Sequence, residues 1–363
     1  MAVTEKDLLA ALASVRDPHG AQDVVASGAL KNLQVAGGDV AFDVELAYPA
    51  KSLVAALRSA LIAAAKGVAG VHNVSANIFW SIPSFAAQGS IQRLPGVKNV
   101  IAIASGKGGV GKSTTAINLA LALAAEGARV GVLDADVYGP SQPMMTGTSG
   151  SPESLDGKLM EPKQAMGLQI NSIGFMVKDE QAMIWRGPMA SQALEQLLRQ
   201  TRWDNLDYLI VDMPPGTGDI QLTMAQKVPL SGAVIVTTPQ DIALLDAKKG
   251  ITMFEKVSVP ILGLVENMAV HLCTNCGHAE HIFGDGGGKK LAETLGMTYL
   301  GALPLQLSIR EQADSGRPTV ASDPDSAVAD TYRQIARQVA QRVSVQAASP
   351  KAKAPTISIS RTT

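Results

Sequence analysis

The sequence predicts an α/β fold, a mostly parallel sheet with helices on both faces, preceded by a small α+β domain. Three observations carry this expectation. From Asn99 to about Val320, short apolar runs alternate with helical patterns, the signature of a parallel sheet covered on both sides. Gly106 to Ser113 fits the phosphate-loop spacing G-x-x-x-x-G-K-[ST] without mismatch, between one such run and one such helix. Residues 1–80 read differently, as helix, hairpin, helix and strand.

In that first segment, Leu8, Leu9, Leu12 and Val15 give Thr4 to Arg16 helical spacing, closed by Asp17-Pro18. Leu30 to Ala36 and Val40 to Ala47 flank Gly37-Gly38-Asp39. Val40, Phe42, Val44 and Leu46 alternate with polar or small residues, so the pair reads as a hairpin with one buried face. Ser52 to Lys66 returns to helix and Val71 to Trp80 to strand. Residues 81–98, with Pro83, Gly89, Pro95 and Gly96, read as a linker.

The larger domain, 99–344, has candidate strands at 99–104, 129–134, 168–174, 207–212, 232–238, 259–266 and 298–303. Candidate helices fall at 112–126, 188–201, 219–228, 241–256, 286–295 and 325–344. The last carries Val328, Tyr332, Ile335, Val339 and Val343 on one side. Its arginines would suit a membrane surface, but packing on the core is the expected use. Residues 345–363, rich in Ala, Ser, Pro, Lys and Thr, cannot bury enough surface to order themselves and read as a disordered tail.

Bulk numbers narrow the function. Lys plus Arg is 31 and Asp plus Glu is 32, so no net field draws this chain of 363 residues to nucleic acid or to a membrane. No apolar stretch approaches the ~18 residues that would span a bilayer. The acidic start, Met-Ala-Val-Thr-Glu-Lys-Asp, shows neither a secretory nor a mitochondrial leader, so a cytoplasmic location is expected. Two cysteines in one motif exclude a disulfide framework.

The chemistry begins at Asn99-Val-Ile-Ala-Ile-Ala104, a buried-strand pattern that feeds Ser105-Gly-Lys-Gly-Gly-Val-Gly-Lys-Ser-Thr114. Strand, glycine loop and helix N-terminus aim backbone N–H groups at one point, which suits a triphosphate. Gly106, Lys107, Gly108, Gly109, Val110, Gly111, Lys112, Ser113 and Thr114 are therefore the candidate nucleotide cradle. Tyr208-Leu-Ile-Val211 delivers Asp212, a buried strand fixing a carboxylate near Mg²⁺, and the Ser113 hydroxyl is a hard oxygen ligand for that ion. Gly216 and Gly218 give the following loop freedom to change shape, and Asp219 is expected to cap the helix it begins. Asp134-Ala-Asp136 lies at the carboxyl end of strand 129–134, the next after the phosphate loop, where ligands bind in this architecture, although either aspartate could simply cap the following turn.

Lys107, an extra lysine just after the first glycine, resembles the deviant Walker A signature of the ATPases that include nitrogenase iron protein, MinD and ParA. That resemblance implies a P-loop NTPase that hydrolyses ATP as a nucleotide-sandwich homodimer, with Lys107 reaching the partner's nucleotide. A cation delivered in trans would offset charge on the transferred phosphoryl group. The same resemblance makes Asp136 the residue that orients the attacking water, Asp134 a support for the magnesium shell, and Asn267 an adenine reader; by itself Asn267 reads as a turn residue.

The second decisive motif is His271-Leu-Cys273-Thr-Asn-Cys276-Gly-His278-Ala-Glu-His281. Three readings compete. Cys273 and Cys276 with His278 and His281 could hold a structural zinc. A redox disulfide is a second reading, without the helix-opening context of a thioredoxin-like unit. The third uses the implied dimer, because two chains supply the four thiolates that an iron–sulfur cube prefers.

Taken in order, K-G-G-V-G-K-S-T, D-A-D-V-Y-G-P-S, D-M-P-P-G-T-G-D, E-N-M and C-x-x-C resemble the Mrp/ApbC family of iron–sulfur cluster carrier ATPases over about residues 97–320. This implies a labile [4Fe–4S] cluster bound by Cys273 and Cys276 at a homodimer interface, a cluster donor, and apo-proteins as recipients. A MinD-like or ParA-like positioning or partition ATPase would share the loop and switches without needing the cysteines, and a zinc-stabilised metal-insertion ATPase would need them for a different metal. Asp17-Pro18 with the hairpin resembles the small domain often fused ahead of this family. Relatives of that domain often carry cysteine after Pro-Ala, whereas this chain has Lys51, so its expected role is partner docking.

Overall fold

Alternation of buried and exposed residues sets the first sheet, and unbroken apolar runs set the second. The computed structural model describes residues 3–20, 22–85, 91–176, 187–273 and 275–348. It divides into two units, one of residues 1–83 with 125–127, the other of 84–124 with 128–363.

In the first unit, helix α1 (Glu5–Leu12) starts where the Thr4 side chain accepts the Asp7 N–H, and it buries Leu8 and Leu12. It ends earlier than expected. The Ser14 hydroxyl takes the Ala11 carbonyl at 2.6 Å, which competes with a further helical turn. Strands β1 (Leu30–Ala36) and β2 (Asp39–Leu46) form the expected antiparallel hairpin, turning at Gly37, whose φ of 62° suits glycine. Val40, Phe42, Val44 and Leu46 point inward. Helix α2 (Val54–Lys66) then buries Leu57, Leu61 and Ala65 and returns the chain to β3 (Asn73–Trp80), parallel to β2.

The second unit is built on β4 (Val97–Ala104), α3 (Lys112–Ala125), β5 (Val130–Asp134), α4 (Gln142–Thr146), β6 (Lys163–Ala165), β7 (Leu168–Ser172), α5 (Gly187–Arg199) and β8 (Leu206–Asp212). It continues with α6 (Asp219–Lys227), β9 (Gly232–Thr237), α7 (Asp241–Lys256), β10 (Ile261–Glu266), β11 (His271–Leu272), β12 (Ala279–Glu280), α8 (Gly287–Thr294), β13 (Tyr299–Ala302), α9 (Leu307–Asp314), α10 (Thr319–Ser322) and α11 (Ala327–Ala348). The main sheet runs β13-β10-β9-β4-β8-β5-β7-β6, parallel throughout except for the edge strand β6. Strands β5, β8 and β9 are buried along their whole length, which is why each reads as a continuous apolar run. The strand order places the carboxyl ends of β4, β5 and β8 side by side.

Differences from the expected elements are local. Strand β4 starts at Val97, inside the expected linker, and the linker's residues 86–90 lie outside the described residues. Helix α11 packs Tyr332, Ile335, Val339 and Val343 into the core and continues past Ser344 to Ala348. Residues 349–363, on which the rest of the expected tail falls, lie outside the described residues. Asp219 does not cap α6: Gly218 occupies the cap position and Asp219 is the first helical residue, where its charge still favours the helix N-terminus. Among the described residues, no helix is long and apolar enough to cross a membrane.

Candidate functional site

Between β4 and α3 the phosphate loop is shaped by two close approaches. A Cβ on Gly106 would lie 2.1 Å from the Asp246 carbonyl of α7, so only glycine lets that helix back the loop. Gly111 has a φ of 79°, and a Cβ there would meet the Asn267 amide at 2.1 Å. Asn267 is thus a brace: its Nδ2 donates to the Val110 carbonyl at 2.9 Å. Above the loop opens a cavity of about 410 Å³ whose lining includes Lys107, Ser113, Thr114, Asp136, Asn267 and Arg310. Gly108, Gly109, Gly111 and Lys112 line it as well.

The buried Lys112 ammonium points down from the loop into a set of carboxylates. It is hydrogen-bonded to Asp212, lies 3.6 Å from Asp136 Oδ2 and donates to the Ser113 hydroxyl at 3.1 Å. Burial works against its charge, but the Asp212 carboxylate outweighs that and holds the pKa above the usual lysine value. Asp212 and Asp134 stand opposite each other in register on β8 and β5. Asp134 is fully buried; burial and then the Asp212 charge push its pKa up to about 7. Its oxygens accept from the Gln142 N–H (3.0 Å), the Ser172 hydroxyl (2.9 Å) and the Asp136 N–H (3.2 Å). Asp136 both caps a turn and faces the site. One oxygen accepts the Tyr138 and Gly139 N–H groups, the other faces Lys112, and burial raises its pKa against the pull of Lys112.

Lys107 is half-buried at the cavity, and among the described residues no carboxylate pairs with it. Sequence reasoning missed Gln142 and Ser172. Nothing in Pro-Ser-Gln-Pro or Asn-Ser-Ile marks either residue, because each matters only through partners distant in the chain.

The cysteine pair caps a short hairpin. Strands β11 and β12 pair His271 with Glu280 and Leu272 with Ala279. The turn closes through Cys273 N–H to the His278 carbonyl (2.9 Å) and Gly277 N–H to the Cys273 carbonyl (2.8 Å). Cys273 is half-buried and Cys276 exposed, both as free thiols. Backbone N–H groups of Cys276 and Asn275, with the Cys276 side chain, hold the Cys273 thiol below its usual pKa. His271 and His281 instead turn their Nδ1 atoms to the carbonyls of Leu305 (3.0 Å) and Ala269 (2.9 Å). Among the described residues no group of three or more histidine, cysteine or acidic side chains is placed to hold a metal.

The hairpin is tied to the phosphate-loop cavity by backbone. From Asn267, Ala269 N–H bonds the Leu303 carbonyl (3.0 Å) and Leu305 N–H bonds the Val270 carbonyl (2.8 Å). Leu305 lines the cavity, and the next ties lead to His271 and Cys273.

The stretch that carries the phosphate loop, the paired strand-end carboxylates and the cysteine hairpin is matched, over residues 96–340, by the model of a family described as the NUBPL iron-transfer P-loop NTPase. The chain belongs to that family. A second model, an iron–sulfur cluster assembly protein, matches residues 5–78. The iron–sulfur cluster carrier protein of Pseudomonas fragi is 59% identical over 269 residues, covering 74% of this chain and 94% of that one. The carrier protein of Escherichia coli strain K12 is 64% identical over 249 residues, 68% of each chain. Among solved structures, the nucleotide-binding protein of Archaeoglobus fulgidus in complex with ADP, with cobalt, aligns with a TM-score of 0.55 and 38% identity, over 62% of this chain and 89% of that one. As an iron-transfer P-loop NTPase, the chain has Lys112, Ser113 and Asp136 at one cavity, Asp212 buried beneath it against Lys112, and Cys273 and Cys276 at the end of a strap leading from it.

Proposed function

We propose that this protein is an ATP-hydrolysing carrier that binds a labile [4Fe–4S] cluster between two copies of the chain and passes it from a donor to apo-proteins. The observation that carries the reading is the cysteine hairpin, two free thiols and no third protein ligand among the described residues, joined by backbone to a phosphate-loop cavity. Two thiolates make an incomplete site for a cube that prefers four, and a second copy completes it. Exposed apolar side chains support a pairing surface: Ile242 and Leu245 on α7, which backs the phosphate loop, and Leu272 and Ile282 beside the cysteines.

ATP is the substrate of the loop. Its phosphates draw Lys112 away from Asp212, and Lys107 of the second copy supplies a further cation in trans. Asp136 orients the attacking water. The residues fit Mg²⁺: Lys112 is a stand-in cation seated among carboxylates, and the Ser113 hydroxyl with the Asp212 carboxylate are hard oxygen donors beside it. Held there, Mg²⁺ would neutralise charge on the phosphates. Asp134, its oxygens already taken, supports that shell by shaping the turn. Asn267 borders the base, and its remaining amide capacity is available to adenine while it braces Val110.

Absorption spectra after anaerobic reconstitution test the cargo. A broad thiolate-to-iron band, lost in both Cys273→Ala and Cys276→Ala, is the expected result. Colourless protein holding one zinc ion per chain would overturn it.

A further inference from the structure

Gln142 is fully buried and touches three motifs at once. Its backbone N–H donates to Asp134 at the end of β5. Its carboxamide Nε2 donates to Asp212 Oδ2 at 2.9 Å and to the Ser113 carbonyl, in the first turn of α3, at 3.1 Å. Both Nε2 contacts are acceptors, so the amide orientation follows from its partners. The other amide atom, Oε1, is buried without any hydrogen-bond partner, and the neighbouring Ser141 hydroxyl is likewise unpartnered. An orphaned acceptor costs folding free energy and is tolerated where a ligand or water will complete it.

We propose that Gln142 is a positioning residue for ATP hydrolysis. It fixes the Asp212 carboxylate so that one oxygen is held by the amide and the other is presented to a cation, which is Lys112 in the nucleotide-free chain and Mg²⁺ in the nucleotide complex. Oε1 is the acceptor for a water of that complex. The inference rests on the nucleotide reading above, and it gives the α4 turn a role that no sequence motif assigned to it.

Gln142→Leu tests it, since leucine fills similar space without polar atoms and leaves Asp212 Oδ2 and the Ser113 carbonyl unpaired. ADP binding is measured by calorimetry with and without Mg²⁺, beside steady-state ATP turnover and the thermal midpoint. The variant is expected to bind ADP without Mg²⁺ as the parent does, within about twofold, and to lose about tenfold of the affinity that Mg²⁺ adds. Its kcat should fall about tenfold with KM nearly unchanged. Two results would overturn the inference: unaltered Mg²⁺ dependence and kcat, or a parallel loss of Mg²⁺-free ADP binding and thermal midpoint, which marks a purely structural residue. Gln142→Met carries the same comparison if the leucine variant does not fold. Failure of the parent protein to bind ADP would instead count against the nucleotide reading itself.

Discussion

Lys112 and Asp212 form a buried ion pair beneath the phosphate-loop cavity, with the lysine ammonium turned down toward the carboxylate. Removing one partner leaves the other charge buried alone, which costs about 3–5 kcal/mol. Lys112→Ala is therefore expected to lower the thermal midpoint of the nucleotide-free protein by on the order of 10 °C and to abolish ATP turnover. Differential scanning calorimetry and phosphate release check both. A variant as stable as the parent would mean that the pair contributes nothing.

Lys107 has the opposite character, since among the described residues no carboxylate holds it at the cavity edge. Lys107→Ala should leave folding and ADP binding intact while turnover falls by at least about a hundredfold, as for other cations delivered in trans. Mixing it with Asp136→Asn gives a sharper outcome. Each variant alone is inactive, but in a mixed dimer one site has both its own Asp136 and the other copy's Lys107. Random pairing then restores about a quarter of parental turnover. No recovery would place Lys107 in its own site or outside the chemistry.

Asp134 supplies a pH signature. Its folded pKa of about 7 lies above the unfolded value of 3.8, so the folded state holds the extra proton between them. The stability this contributes is full below the unfolded value and is lost as pH rises through the folded one. The thermal midpoint of Asp134→Asn relative to the parent is expected to increase by a few degrees between pH 5 and 7.5 and to level off above that. A flat difference across that range would show that Asp134 stays ionised against Asp212.

The strap from Asn267 to Cys273 predicts that occupancy of one site is felt at the other. ADP should change the rate of thiol modification at Cys276 several-fold, and His271→Ala, which removes the side-chain tie to Leu305, should erase most of that change. A rate indifferent to ADP in the parent would leave the two sites energetically separate.

Strands β4, β8 and β9 were legible because burial on both faces demands unbroken apolar runs, and the phosphate loop because its glycines answer to local geometry. The edge strand β6 and the hairpin β11–β12 were not, being too short for any period to show. The roles of side chains were less readable than their positions. Asp136 and Asn267 lie at the cavity, yet Asp136 also caps a turn and Asn267 spends an N–H on Val110. Gln142 was invisible because its partners, Ser113 and Asp212, are brought to it only by the sheet. The competing zinc set, Cys273, Cys276, His278 and His281, is not gathered among the described residues, where no group of three or more such side chains is placed to hold a metal.

The most direct test is iron, sulfide and zinc content per chain of protein purified without oxygen, with native mass recorded on the same sample. A two-chain particle with about two irons and two sulfides per chain is expected, falling to almost none in Cys273→Ala or Cys276→Ala. A single-chain particle that keeps its full complement of iron would contradict a cluster shared between copies.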